Sequence, residues 1–262
     1  MFSTKSLAVL LVAALASVSA QTFKYTFDPV ATGGIQGHVK VKYVSPTGTK
    51  ADVSANLDFS KLDVAAVQKA DGNCTGEPVE YKWHIHVKWN STKSSDSFAM
   101  CSKALTSNHY DPLFACGPNS EFAETAQCIP KIPAYACSPA NYTANPLACE
   151  KGDLSGKFGD FKLDANKQVR GKWTDLDANK TVVGNWTDVN YPLVGENTAQ
   201  WNIILHAVCG KSTPRVACAL GKRTDSYNYD DRSAVATPYP TTIKSHSGKT
   251  HVRIAIHQRD AN

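Results

Sequence analysis

The chain has 262 residues, 42% of them hydrophobic and 19% charged, with a formal charge of +5. No basic cluster is interleaved with aromatics, which argues against a nucleic-acid partner, and the mild positive balance favours small anionic substrates over cationic ones. The length beyond any leader suits one all-β domain with a single core.

Residues 1–20 place Lys5 ahead of an apolar run over 7–16 and end in small residues at Ala20. This is the pattern of a secretory signal peptide cut after Ala20. The run is short for a membrane anchor, no later segment is apolar enough to span, and the polar end at 258–262 lacks the tail of a lipid-anchor signal. The mature protein is therefore expected to be secreted, extracellular and without a membrane anchor. Eight cysteines follow, at positions 74, 101, 116, 128, 137, 149, 209 and 218. An even count in a secreted chain implies disulfides, and the spacings lack the paired pattern of a structural zinc site. Asn73, Asn90, Asn141, Asn179 and Asn185 head glycosylation sequons, which marks a glycoprotein with these positions on its surface. Cys74 lies inside the first sequon, so a bridge there competes with glycan transfer.

From residue 21 the hydrophobic pattern is mostly period two. Strands are expected at 37–44, before the turn Ser45-Pro46-Thr47-Gly48, and at 52–59. A further strand at 81–89 carries His84 and His86, which alternation places on one face. Short strands at 157–163 and 169–173 flank an Asp-Ala-Asn turn, and others follow at 182–186 and 201–208. No long helix is expected. Short strands with frequent Gly, Asn and Asp turns indicate an antiparallel sandwich or barrel over 21–221. Residues 102–150 interrupt the rhythm with four cysteines and several prolines, a long disulfide-pinned loop region. Residues 222–262 form a tail whose 250–256 segment reads as one added edge strand. Residues 175–179 start like a calcium loop, but Lys180 stands where glycine is needed and Trp186 where the bidentate glutamate belongs.

Two imidazoles on one strand face are half of a metal site, although such a pair taken alone is more often a pair of ordinary surface or core polar residues. Downstream come Asn108-His109-Tyr110-Asp111-Pro112, then Glu150-Lys151-Gly152-Asp153-Leu154, then Leu205-His206-Ala207, then Arg215-Val216-Ala217-Cys218. In this order the motifs resemble the copper-zinc superoxide dismutase family between residues 35 and 220. The resemblance implies a Greek-key β-barrel of about eight antiparallel strands. It implies copper ligands at His84, His86, His109 and His206, for which imidazole suits copper well. It also implies a disulfide from Cys101 to Cys218, with Cys116 a rival for the first position; Cys128 and Cys137 are then expected to pair locally.

The departures point to the secreted copper-only branch of that family. Gly117 and Glu150 occupy positions where the zinc enzymes have histidines, and only Asp153 of the zinc ligands remains. One carboxylate in place of two imidazoles is a poor zinc site, so one copper per chain and no zinc are expected. His206 and Arg215 are only nine residues apart, so the long charged loop between them is nearly gone. The implied activity is antioxidant: dismutation of superoxide to oxygen and hydrogen peroxide. Arg215 would guide the anion, His109 would relay a proton, Glu150 would connect His109 to solvent, and Asp153 would link copper-site histidines. His38, His246, His251 and His257 match nothing in the family and read as ordinary strand or tail residues. The runner-up is a secreted copper-binding or buffering protein of the same fold without significant turnover. A third reading makes the 222–262 tail an interaction module.

Overall fold

The computed structural model describes residues 21–163 and 180–224, together with the backbone of two strands at Thr241–Lys244 and Thr250–Arg253. Alternation sets the first strands. In β2 (Gln36–Tyr43) Val39, Val41 and Tyr43 are buried while Lys40 and Lys42 are exposed. β1 (Thr22–Phe27) and β3 (Ala51–Asp58) flank it, and β3 alternates in the same way. These are half-buried strands with one wet face. β4 (Glu80–His86) and β8 (Asn202–Ala207) differ, being buried on both faces. Trp83, Ile85, Ile203 and Leu205 point into the barrel core. On the other face Ile204 packs with Cys101, Cys218 and Trp89. The side chains on that outer face are covered by loops rather than water.

With β5 (Ser95–Ser97), β6 (Phe161–Lys162), β7 (Thr181–Asp188) and β9 (Arg215–Arg223) the sheet runs β6-β4-β8-β9-β1-β2-β3-β7, and β5 pairs with β9. Every pairing is antiparallel. The eight-stranded path is a nearly closed barrel. The connections from β3 to β4 and from β7 to β8 join strands that are not neighbours, which is Greek-key wiring.

The 157–163 segment departs from the expected strand. α4 (Leu154–Phe158) takes its first two residues, capped by the Asp153 carboxylate, which accepts from the Gly156 N–H at 2.8 Å. Gly159, at φ 89°, ends it, and only Phe161–Lys162 pairs with β4. An N-cap carboxylate outweighed a two-residue alternation. The expected strand at 169–173 and the rejected calcium loop at 175–179 lie outside the described residues. Thr241–Lys244 and Thr250–Arg253 form β10 and β11 of a two-stranded antiparallel sheet, so the 250–256 segment is strand over 250–253.

Four disulfides join Cys74 to Cys209, Cys101 to Cys218, Cys116 to Cys128 and Cys137 to Cys149. The expected Cys128–Cys137 bridge is therefore incorrect. Two local loops, each of sequence separation 12, close instead, one on either side of that pair. The first starts beside the fully buried Asp111 carboxylate, which accepts from the Ala115 and Cys116 N–H groups and the Ser120 hydroxyl. The second encloses α3 (Pro139–Ala144), started by Ser138. Of the sequons, Asn73, Asn90, Asn141 and Asn185 are exposed, and Asn179 lies outside the described residues. Among the described residues no helix is long and apolar enough to cross a membrane.

A buried ion pair fastens α4 to the barrel. Lys157 Nζ donates to Asp188 Oδ2 at 2.9 Å and to the Lys151 carbonyl at 2.8 Å, with both charged side chains fully buried. The Tyr142 hydroxyl donates to the other oxygen of Asp188, bringing α3 into the same knot. Removing one partner of such a pair strands the other's charge. Lys157→Met is expected to cost about 3–5 kcal/mol in urea unfolding with the disulfides intact. A loss under about 1 kcal/mol, the range of an exposed pair, would show that the pair holds nothing.

Candidate metal centre

Strand register brings three histidines together before any loop is considered. His84 pairs across from Ile204, His86 from Asn202, and His206 from Lys82. Directly opposed residues share a face, so His84, His86 and His206 all project outward from the β4–β8 pair. His109 arrives on the loop that follows α2 (Lys103–Thr106) and forms an isolated bridge to His86. Its ring stacks on His84 with centroids 4.0 Å apart. Ligand atoms of the four imidazoles all lie within 4.8 Å of one another, and each residue is at most 8% exposed.

The loop is docked by main-chain bonds. Gly152 N–H donates to the Tyr110 carbonyl at 2.8 Å, Tyr110 N–H to the Ile85 carbonyl at 3.1 Å, and Ile85 N–H to the Gly152 carbonyl at 2.9 Å. A Cβ on Gly152 would come within 2.7 Å of the Ile85 oxygen and 2.8 Å of the Tyr110 nitrogen. Only glycine lets the three backbones meet.

Hydrogen bonds decide which nitrogen each ring offers. His86 Nδ1 donates to the Ser107 carbonyl at 3.0 Å and His206 Nδ1 to the Thr213 carbonyl at 3.1 Å. His84 reverses the choice, with Nε2 lying 3.4 Å from Asp153 Oδ1. His109 Nδ1 is 2.7 Å from Glu150 Oε2. Three nitrogens, His84 Nδ1, His86 Nε2 and His206 Nε2, are then buried without a protein partner. Orphaned buried acceptors are costly unless something binds them. With His109 Nε2 they make a set of four imidazole donors suited to a divalent metal, each steadied by a carbonyl or carboxylate on its far side. Burial, with His109 adding to it, pushes His84 down to about 4. Burial also holds His86 and His206 well below the ordinary histidine range. Neutral rings are the form a metal requires.

Two carboxylates stand behind the rings. Glu150 is raised by burial in spite of the attraction of His109. Burial would also raise Asp153, but its bond to His84 wins and holds it low. Glu150 Oε1 fills the space beside Gly117, where a Cβ would overlap it and lie 2.8 Å from the Tyr135 ring. No side chain fits at Gly117 while these two occupy it.

Arg215 begins β9, opposite His206 and just past a register shift at Leu205/His206. Its Nη1 donates to Thr106 Oγ1 at 2.7 Å, to the Ser107 carbonyl at 2.9 Å and to the Cys101 carbonyl at 3.2 Å. Cys101 is bonded to Cys218, so the arginine and the disulfide fasten the same loop to the same strand. Burial lowers the guanidinium to about 10, which leaves it charged at neutral pH. A cavity of about 470 Å³ opens on His84, His109 and His206, with Tyr135, Glu150, Asp153 and the charged Glu80, Lys82, Asp160 and Lys162 also in its lining. Arg215 lines a separate shallow groove with Phe98, Ser102 and Pro214.

The structure thus assembles His84, His86, His109, His206, Glu150 and Asp153, and sets Arg215 in a separate groove. Sequence reasoning did not find Tyr135, for which no spacing signal exists, or Gly152, whose need appears only once three backbones converge. A second group, Asp111 with Cys116 and Cys128, has its sulfurs in a disulfide and offers no thiolate. His38 is a strand residue on β2, as expected, and the side chains of His246, His251 and His257 lie outside the described residues.

No family model and no curated protein matches the chain. Among solved structures, two mutants of Candida albicans superoxide dismutase 5 are similar to it. One, a glutamate-to-glutamine mutant, aligns over 83% of this chain and 100% of its own, at 16% identity and a TM-score of 0.46. The other, an aspartate-to-asparagine mutant, aligns over 82% and 99%, at 15% identity and a TM-score of 0.42.

The neutral rings make the metal-free fold acid-sensitive. An unfolded histidine titrates near 6.5 while folded His84 titrates at about 4. Between those values the unfolded chain binds more protons, so the contribution is complete above about 6.5 and is lost as pH falls toward 4. Glu150 has the opposite sign, since its raised carboxyl favours the fold at low pH. With three histidines lowered, the net expectation for metal-free protein is a lower urea midpoint at pH 5 than at pH 7. An unchanged midpoint would contradict the buried neutral cluster.

Proposed function

We propose that this protein is a secreted copper-only superoxide dismutase that binds one copper per chain and converts superoxide to oxygen and hydrogen peroxide. The observation that carries the reading is the convergence of four buried imidazoles, three of which aim partnerless nitrogens at one point. Four neutral imidazoles suit copper, the top of the divalent affinity order. The absence of a side chain at Gly117 and the use of Glu150 as a partner of His109 argue against a zinc site alongside. The disulfides fit an oxidising compartment, which supports secretion.

His84 Nδ1, His86 Nε2, His109 Nε2 and His206 Nε2 would hold the metal. Bound copper supplies reversible one-electron exchange with the substrate. The remaining work falls to the protein. The Ser107 and Thr213 carbonyls and Asp153 fix the tautomer and orientation of three rings. His109 stands between the site and Glu150, so a proton on Nδ1 has an acceptor at 2.7 Å that reaches the cavity wall. Burial raises the proton affinity of Glu150, which suits it to take up and pass on a proton beside His109. Arg215 contributes a fixed positive charge beside the histidine cluster, which attracts a small anion.

A second reading, a copper carrier or buffer, draws on one observation: the Arg215 guanidinium is bonded to Cys101, Thr106, Ser107 and Asn108 and lines a groove apart from the cavity. Metal content and superoxide dismutation measured on one copper-loaded secreted sample separate the two. One copper, no zinc and fast turnover are expected. Copper without turnover would favour the carrier, and stoichiometric zinc would overturn the copper-only reading.

Two variants test the roles. Arg215→Ala is expected to keep copper while kcat/KM falls about tenfold or more and loses salt dependence, within the usual range for steering. Unchanged turnover would remove the arginine from the mechanism. Glu150→Gln keeps an acceptor for His109 but carries no proton, so its rate should fall below that of the parent progressively as pH rises. A parallel profile would exclude Glu150 as the proton route.

A further inference from the structure

Tyr135 belongs to none of the roles above, yet it touches both carboxylates. It lies two residues before Cys137, and the Cys137–Cys149 bridge draws it onto the segment that carries Glu150. Its hydroxyl donates to Asp153 Oδ2 at 2.8 Å and accepts from the Glu150 backbone N–H at 3.2 Å. Its ring stands over Gly117, beside Glu150 Oε1. Beyond these contacts, Asp153 Oδ1 is 3.4 Å from His84 Nε2 and Glu150 Oε2 is 2.7 Å from His109 Nδ1.

Asp153 and Glu150 line one cavity, and a neutral group bonded to both of their segments can fix their spacing. A phenol that donates to one and accepts from the backbone of the other answers this without adding charge. The ring fills the space and the hydroxyl makes both bonds, so phenylalanine would preserve the packing and lose the tie.

We infer that Tyr135 is a positioning residue of the metal centre: its hydroxyl fixes Asp153 relative to Glu150 and, through them, the rings of His84 and His109. This rests on the copper reading above. Of the four donors, His86 and His206 are set by backbone carbonyls, while His84 and His109 depend on the carboxylate pair that Tyr135 joins.

The test compares wild type, Tyr135→Phe and Tyr142→Phe. Tyr142 donates to Asp188 in the neighbouring network and touches neither Asp153 nor Glu150, which makes it the control for general loosening. Copper affinity is measured by chelator competition and the copper(II) site by electron paramagnetic resonance. Histidine ring resonances are followed by NMR in metal-free protein. Tyr135→Phe is expected to raise the copper dissociation constant about tenfold, the lower end for loss of a partner behind a ligand, and to change the copper(II) hyperfine pattern. It should also shift the His84 and His109 ring signals before metal is added, while Tyr142→Phe leaves all three measurements at wild-type values. Wild-type affinity, spectrum and ring signals in Tyr135→Phe would overturn the inference, as would equal changes in Tyr142→Phe. If wild type binds no copper the copper reading fails, and the metal-free ring signals alone then decide whether Tyr135 positions His84 and His109.

Discussion

The centre depends on a three-way main-chain junction. Ile85 on β4, Tyr110 beyond the loop histidine and Gly152 between the two carboxylates exchange hydrogen bonds in a closed ring. Each is one or two residues from a group of the site: His84 and His86, His109, and Glu150 and Asp153. Their relative positions are consequently set by backbone, whose dihedrals are stiff, rather than by long side chains that would lose rotamer freedom. A side chain at 152 would wedge the junction apart, since its Cβ would meet backbone atoms that cannot swing away.

Most of this arrangement stands on the wet side of the barrel and is nevertheless dry. β4 and β8 bury both faces because the loops carrying Cys101, Thr106 and His109 fold over the outer one. Covering a histidine cluster is unfavourable unless the rings stay neutral and their nitrogens find partners. Half of those partners are carbonyls and carboxylates of the chain; the other half are open. The fold therefore carries a polar cluster at a cost that a bound metal would relieve, and the Lys157–Asp188 knot and four disulfides hold the covering segments against it.

Much of this was legible in the sequence because it depends on periodicity. The two-residue repeat over 37–44 and 52–59 marks strands whatever they pack on, and His84 with His86 on one face follows from the same repeat. Asp153 and Glu150 were legible only through the family resemblance. What escaped depends on three-dimensional closure. Asp153 as a helix cap starts a helix over 154–158 that takes residues 157 and 158 from the expected strand, a local choice between two short patterns. The pairing of Cys116 with Cys128 and of Cys137 with Cys149 turns on how the chain folds beside Asp111 and around α3, and cysteine spacing does not encode that. Tyr135 is one of ten tyrosines and nothing around it in the chain sets it apart.

The Cys137–Cys149 bridge ties the chemistry of the centre to the history of the molecule. The sulfur atoms hold together the two stretches of chain that bring Tyr135 and Glu150 into the lining of the cavity. A chain still carrying thiols has no covalent reason to bring those stretches together. On the copper reading proposed above, maturation would have an order: oxidative folding first, metal capture second. A chain made and held in a reducing compartment would meet copper with its four imidazoles on hand and their supports unassembled.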